Sequence, residues 1–386
     1  MAWTEADRLR PVPVAPMPRR AEELAAASCP GLIAEGISPD EAAPEATDDL
    51  MWGYWHHAHI GWAGDPEIRH RASTGGVLSA LAAFLLESGE ADFILHLAPD
   101  PERPARSRYR ISRTPEEAAD TGGSRYGPSA PLEGLVEARE LAATGQRFAF
   151  IGKPCDVSAI RLLAQQEAWL AEALTHRLTI MCGGASDFSK TAKLLAEWGM
   201  AEDDLAELRY RGYGNPGPTT AKTRDGRQAG TTYQALWEDE SAWALQHRCK
   251  ICPDAIGMAA DLVAFDCWPG GGPEGEDEGF NALLTRTQAG AALLEAAVAA
   301  GALALGKTIG ADDFELFQPH QSAKRRAVWA RLAGQRHAGK AAPISDTLGV
   351  AEIARTRPLS DLLAQALGTR DRLRAGRGTE PSPQER

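Results

Sequence analysis

The sequence predicts an α/β protein: mixed, partly parallel sheets with flanking helices, followed by a mainly helical C-terminal extension. Three observations carry this. Short apolar runs, QRFAFIG from Gln146 and HRLTIMCGG from His176, are separated by the helical stretch DVSAIRLLAQQ from Asp156. Alternation of strand and helix is the signature of parallel βαβ units. Two more apolar runs, Asp261–Cys267 and Phe280–Thr287, enclose a glycine-rich acidic loop, PGGGPEGEDEG. Beyond residue 311 the helical pattern dominates and is locally basic.

Taken in order, residues 1–30 read as an irregular arm with a short helix. Residues 31–70 show little periodicity but hold Trp52, Trp55 and Trp62. STGGVLSALAAFLLESGE, from Ser73, reads as a Ser/Thr-capped helix that stops near Gly89. ADFILHLA follows as a strand, and residues 98–107 as a Pro/Arg loop. Thr114-Pro115-Glu116-Glu117 is a capping box with Pro at the first helical position. LEGLVEARELAATG is a helix, and another is expected from Ser186 to Trp198. Asp225-Gly226 suits a hairpin turn within residues 219–233. Residues 289–305 read as an Ala-rich helix.

The 386 residues carry 41 Lys and Arg against 53 Asp and Glu, a net charge of −12. Hydrophobic residues make up 44%, enough for a substantial core, which excludes general disorder. The acidic balance argues against a nucleic-acid binder. No apolar run approaches the ~20 residues of a membrane span, and no signal pattern opens the chain. A cytoplasmic protein is therefore expected, with no transmembrane segment.

The chemistry is concentrated in cysteine. Of six cysteines, Cys155 and Cys182 each follow a predicted strand, where α/β sheets gather ligands. Cys249 and Cys252 form a C-x-x-C pair in RCKICPD. Four thiolates suit a [4Fe–4S] cluster. Cys155 and Cys182 read equally well as small core residues. The C-x-x-C pair also fits half a zinc site or a dithiol couple. Cys29 and Cys267 read as structural. Arg71-Ala72-Ser73-Thr74-Gly75-Gly76 opens a helix and could hold phosphate, although an ordinary N-cap explains it too. GSRYGP from Gly123 and YRGYGNPG from Tyr210 are either ligand loops or tight turns. His56, His57 and His59 read as packing residues. No nucleophile elbow, P-loop or H-E-x-x-H motif is present.

Six motifs occur in a fixed order: RASTGGVLSALAAFLLESG, GSRYGPSAPL, FIGKPCDVSAIRLL, CGGASD, YRGYGNPG and RCKICPDAIGMAADLVAFDCW. Together they resemble the coenzyme F-420 hydrogenase and dehydrogenase beta-subunit family. That family also includes 7-hydroxymethyl chlorophyll a reductase and a ferredoxin-dependent divinyl chlorophyllide vinyl reductase. The resemblance spans roughly residues 25–340. It implies an FAD and iron–sulfur oxidoreductase acting on a small-molecule substrate. By the same resemblance Cys155, Cys182, Cys249 and Cys252 would ligate one [4Fe–4S] cluster. Ser73, Thr74, Gly75 and Gly76 would lie at the flavin with Ser124, Arg125 and Tyr126. Lys153 would stand near the flavin ring, where a cation favours the reduced anion. Asp254 and Asp266 would fix loops.

The resemblance divides the chain into an N-terminal arm over 1–58, a flavin-associated region over 59–140, a cysteine-bearing α/β domain over 141–310 and a helical extension over 311–386. The arm would be the remnant of a ferredoxin-like segment of which only Cys29-Pro30 is left. Electrons would then come from a ferredoxin-like donor or a partner redox subunit, and the basic stretch Lys324–Arg336 reads either as its docking face or as a solvated helical face. Two other readings stay open: a non-catalytic electron-transfer subunit and a zinc-stabilised binding module.

Overall fold

The computed structural model describes residues 1–5, 7–238 and 243–378. Its frame is an eight-stranded mixed sheet. The strands are β1 (Ala58–Ala63), β2 (Phe93–Pro99), β3 (Ser107–Ser112), β4 (Phe148–Gly152) and β5 (Leu174–Ile180). After a separate three-stranded sheet of β6 (Leu205–Arg209), β7 (Thr219–Thr223) and β8 (Gln228–Thr231) come β9 (Leu262–Asp266), β10 (Asn281–Thr285) and β11 (Leu303–Thr308). The large sheet runs β11-β1-β10-β9-β5-β4-β2-β3. Its middle, β2, β4, β5 and β9, is parallel, and every other pairing is antiparallel.

The parallel strands are apolar throughout because both faces are covered. Phe93, Leu95, Phe148, Phe150, Val263 and Phe265 feed one core. The intervening Ile94, Ala149, Leu262 and Ala264 feed the other. Helices α1 (Val77–Glu87) and α4 (Gln288–Ala299) cover the second face. Helices α2 (Pro154–Ala164) and α5 (Pro319–His337) bring Val157, Ile160, Val328 and Leu332 to the first. A third core, with Leu205, Leu208, Tyr210 and Leu236, lies under the small sheet and takes Leu194 and Leu195 from helix α3 (Ser189–Glu197).

Several expectations hold in detail. The Asp225-Gly226 turn joins β7 to β8. Thr114 caps its helix, accepting the Glu117 N–H at 3.2 Å. Helix α1 ends just before Gly89, whose φ of +71° is a left-handed stop. Others are corrected. The cap of α1 is Gly76, at φ +76°, and no Ser or Thr side chain takes that role. The helix expected over 289–305 stops at Ala299, and Leu303–Thr308 turns back as edge strand β11. An Ala-rich run is ambiguous at its end, and only pairing with β1 decides it. Strands β1, β3 and β6 were not foreseen, because their charged and aromatic residues mask the alternation. The extension is helical as expected, ending in α6 (Leu359–Arg374), with residues 379–386 outside the described part.

Candidate functional site

The site forms beyond the carboxyl ends of the parallel strands. Strand β4 ends at Gly152, and Lys153-Pro154-Cys155 turns directly into α2. Pro154 suits the first helical position, having no N–H to satisfy. Asp156 accepts the Lys153 backbone N–H at 3.1 Å and so caps the helix. Strand β5 ends at Ile180, and Cys182 follows in an open glycine loop. That loop is zipped to the C-x-x-C segment: Ser186 bridges Leu245, and the Gln246 N–H reaches the Ala185 carbonyl at 3.2 Å. Cys249 then lies in the short helix His247–Lys250. The Cys182 N–H donates to Ala255 at 2.8 Å, closing the ring of loops.

These constraints bring all four predicted cysteines together. Cys182 and Cys252 each feel Cys249, Cys252 also feels Cys182, and Cys155 feels Cys252. Burial holds the Cys155 and Cys182 thiols above their ordinary range and pushes Cys252 up to about 12. Neutral thiols are the stable form there until a metal takes the protons' place. The Ala185 N–H already donates to Cys249 Sγ at 3.3 Å. Around the thiols stand Lys153, Arg248 and Lys324. Burial opposes the Lys153 charge, but Asp156 and Cys155 outweigh it and raise its pKa. Among the described residues no three His, Cys, Asp or Glu side chains are placed to hold a single metal ion. A four-iron cube binds each thiolate at a different iron, so it asks for a wider ring than one ion does.

The loop after Cys252 is held by a buried carboxylate. Asp254 accepts the N–H groups of Ile256, Gly257 and Met258 at 2.9–3.1 Å. Burial raises its pKa, opposed by the nearby Arg286 and Arg325 guanidiniums. Those arginines spend their donors on carbonyls: Arg286 on Trp52, Tyr54 and Ile256, Arg325 on Pro253, Leu50 and Leu348.

The predicted flavin residues also meet. Ser73 Oγ accepts the Ser124 N–H at 2.6 Å, joining the 73–76 turn to the 124–126 loop. Their side chains, however, serve the protein. Asn281 donates to Thr74 Oγ1 at 3.0 Å. A Cβ on Gly75 would come within 2.7 Å of the Asn281 nitrogen, so this glycine permits the turn to lie against β10. Arg125 donates to Ser107 and to the carbonyls of Pro104, Arg106 and Leu208. Tyr126 packs edge-on against Tyr210, Trp237 and Trp243. The two candidate regions are linked through Lys153, whose Nζ meets Asp156 at 2.6 Å and donates to Ser129 at 2.6 Å.

The basic stretch Lys324–Arg336 is not the exposed docking face that the sequence suggested. Arg325 is buried at 2% exposure, Arg326 pairs with Glu315, and Arg331 donates to Gln365 and the Lys250 carbonyl. Lys324 leans onto the Gly183 carbonyl at 3.3 Å. Lys324, Arg325 and Arg331 of α5 thus turn to the cysteine loops, whereas Arg326 faces Glu315 and Arg336 stays exposed.

Comparison with known proteins decides the family. Residues 58–137 match the family described as "Coenzyme F420 hydrogenase/dehydrogenase, beta subunit N-term", and residues 145–309 match its counterpart for the C terminus of the same beta subunit. The chain belongs to the coenzyme F420 hydrogenase/dehydrogenase beta-subunit family. It is 26% identical over 265 residues to the coenzyme F420 hydrogenase subunit beta of Methanococcus voltae, covering 66% of this chain and 85% of that one. Against the same subunit of Methanosarcina barkeri it is 22% identical over 240 residues, 61% and 77% of the two chains. The fold is shared with a chain from the xenon-derivatized F420-reducing [NiFe] hydrogenase complex of Methanosarcina barkeri: TM-score 0.58, 19% identity, covering 77% of this chain and 98% of that one. The chain is thus a redox subunit by family. Among its described residues no helix is long and apolar enough to cross a membrane.

The YRGYGNPG segment, read as a ligand loop or a tight turn, holds Arg211, and nothing in the sequence singled out Arg209 just before it. Arg211 is buried and forks onto Asp266, at the end of β9, at 3.0 and 3.2 Å. Its guanidinium also lies over the Trp268 ring at 4.6 Å. Arg209 lines a cavity beside Gly122–Arg125. The Arg-beside-Tyr pattern was visible in the sequence, but nothing local showed where each arginine would point.

Proposed function

We propose that this chain is an FAD- and [4Fe–4S]-dependent oxidoreductase that passes electrons between an iron–sulfur partner and a small organic substrate. The observation that carries this is the convergence of Cys155, Cys182, Cys249 and Cys252 on one half-buried crevice at the ends of parallel strands. Four thiols flanked by cations form a donor set suited to an iron–sulfur cluster. When bound, a flavin would exchange electron pairs with the substrate and single electrons with the cluster. Lys153 would hold a positive charge between the two, oriented by Asp156 and Ser129. The joined 73–76 and 124–126 loops, with the start of α1, would form the wall against which the flavin lies. Its relatives are named as hydrogenase subunits, which supports a partner redox subunit or ferredoxin-like carrier as the electron source. Free thiols in such a site suit a reducing, cytoplasmic compartment.

Anaerobic purification with iron, sulfide and flavin counted per chain tests this. About four irons and one flavin are expected. Cys249→Ser should abolish the cluster absorbance and most of the iron, whereas Cys267→Ser should keep both. A Cys249→Ser chain with its full iron content overturns the assignment. Zinc in place of iron after strictly anaerobic preparation would return the binding-module reading.

A further inference from the structure

Helix α6 lies beyond residue 309, where the family match ends, and it carries an apolar face turned to solvent. Leu359, Leu363 and Leu367 are 71%, 50% and 44% exposed. They recur at every fourth residue and so form one ridge along the helix, about 12 Å long. Among the described residues no other helix exposes three large apolar side chains. The residues outside the described part, 6, 239–242 and 379–386, hold no large apolar side chain to lie on this ridge. A contiguous exposed apolar face of this kind marks an interaction surface.

The ridge is held firmly from behind. Thr369, on the opposite side of α6, is buried at 1% exposure. Gly334 of α5 lies so close to the Ala366 carbonyl that a Cβ there would collide with it. Arg331 of α5 donates to Gln365 at 2.8 Å. The outward face is therefore preformed, which lowers the ordering cost of binding. Exposed Ser360 and Ala364 stand beside the leucines. Their small side chains leave the groove that a leucine ridge of another helix fills.

The charges at the two ends of α6 decide which helix that is. Exposed Arg357 stands just before its first turn and exposed Asp371 lies in its last. Each has a local partner at 2.8 Å, Asp361 and Arg370, and stays open to a second one. Consider a second α6 laid antiparallel, with the two-fold axis at Leu363. Leu359 of each copy then meets Leu367 of the other, and Asp371 comes beside Arg357 at both ends. Opposed helix dipoles favour the same direction. A parallel copy sets Arg357 against Arg357 and Asp371 against Asp371. The face is thus complementary to itself, as a two-fold interface must be.

We propose that α6 joins two copies of this chain, antiparallel, through the ridge of Leu359, Leu363 and Leu367. So short a ridge fits a reversible dimer better than an obligate one. The proposal is independent of the cofactor reading above.

The test measures the mass of the anaerobically purified full chain by light scattering over a concentration series, with the denaturation midpoint as folding control. The unaltered chain should pass from monomer to dimer as concentration rises. Leu363→Glu should weaken the dimer about tenfold or more at an unchanged midpoint. Asp371→Arg should weaken it a few-fold, and adding Arg357→Asp to that variant should restore it. A chain that stays monomeric throughout the series overturns the proposal. So does a dimer that Leu363→Glu leaves intact, since the interface would then lie elsewhere. A dimer lost in Leu363→Glu but indifferent to the charge exchange overturns the antiparallel pairing.

Discussion

The two ends of the site differ in how they are made. At the cysteine end, the reactive groups are half-buried side chains, and the residues around them spend their bonds on fixing loops. Asp254, Arg286 and Arg325 bind backbone groups and hold the loop that follows Cys252, whose own thiol donates to the Asp254 carbonyl at 3.0 Å. At the glycine–arginine end, the side chains that seemed functional are consumed by the fold. Arg125 holds three carbonyls, Tyr126 packs among aromatics, and the space that remains is shaped by glycine and by the Arg209 guanidinium, whose buried Nε makes no hydrogen bond. A residue type identifies a metal centre, because few residues bind soft metals. It does not identify an organic-ligand site, where backbone and shape do much of the work.

The largest expected effect tests how far the cysteine end depends on its buried carboxylate. Asp254→Ala removes three backbone acceptor contacts, takes the counter-charge from buried Arg286 and leaves buried Arg325 only the more distant Asp49. Losing one member of such a network costs about 3–5 kcal/mol. Denaturant unfolding should show that loss, and the purified variant should hold less iron. A variant with unchanged stability would mean that the arginines' carbonyl bonds alone hold the loop.

The same contrast explains what the sequence made legible. The strands leading to Cys155 and Cys182 were readable because both faces of the sheet are covered, which leaves uninterrupted apolar runs such as Phe148–Ile151. The C-x-x-C pair was readable from spacing alone. Convergence was not, since it depends on Ser186 pairing with Leu245, a contact that no local pattern announces. Edge strand β3 (SRYRIS) was missed because four of its six residues are charged or carry an aliphatic hydroxyl. The basic α5 looked like a docking face because helical periodicity gives the facing of charges only against a known neighbour, and Arg325 turns inward.

A smaller, pH-dependent effect probes the other end. His96 on β2 is buried and bonded to Ser112 at 2.8 Å and to Thr121, which borders the cavity beside Arg209. Burial, and Arg110 nearby, bring its pKa down from 6.5 to about 4. Between those values the unfolded chain binds a proton that the folded chain does not. Stability should therefore be full above pH 6.5 and fall as pH drops towards about 4. The contribution approaches about 3 kcal/mol at the acid end. His96→Asn should flatten this part of the stability–pH curve. An unaltered slope would show that the imidazole is not held neutral by the fold.

The smallest effect concerns the join between the ends. Lys153 Nζ touches Asp156 on the cysteine side and Ser129 on the loop that leads from Arg125. If the two ends are built independently, Ser129→Ala removes one hydrogen bond and no more. The ion pair with Asp156 keeps the ammonium in place, so unfolding free energy should fall by about 1 kcal/mol. Iron per chain should stay the same. A larger fall, or loss of iron with Asp156 intact, would mean that the 124–129 loop bears on the thiols through Lys153. The cysteine centre and the cavity around Arg209 would then be two parts of one cooperative unit, and a ligand bound at one would be felt at the other.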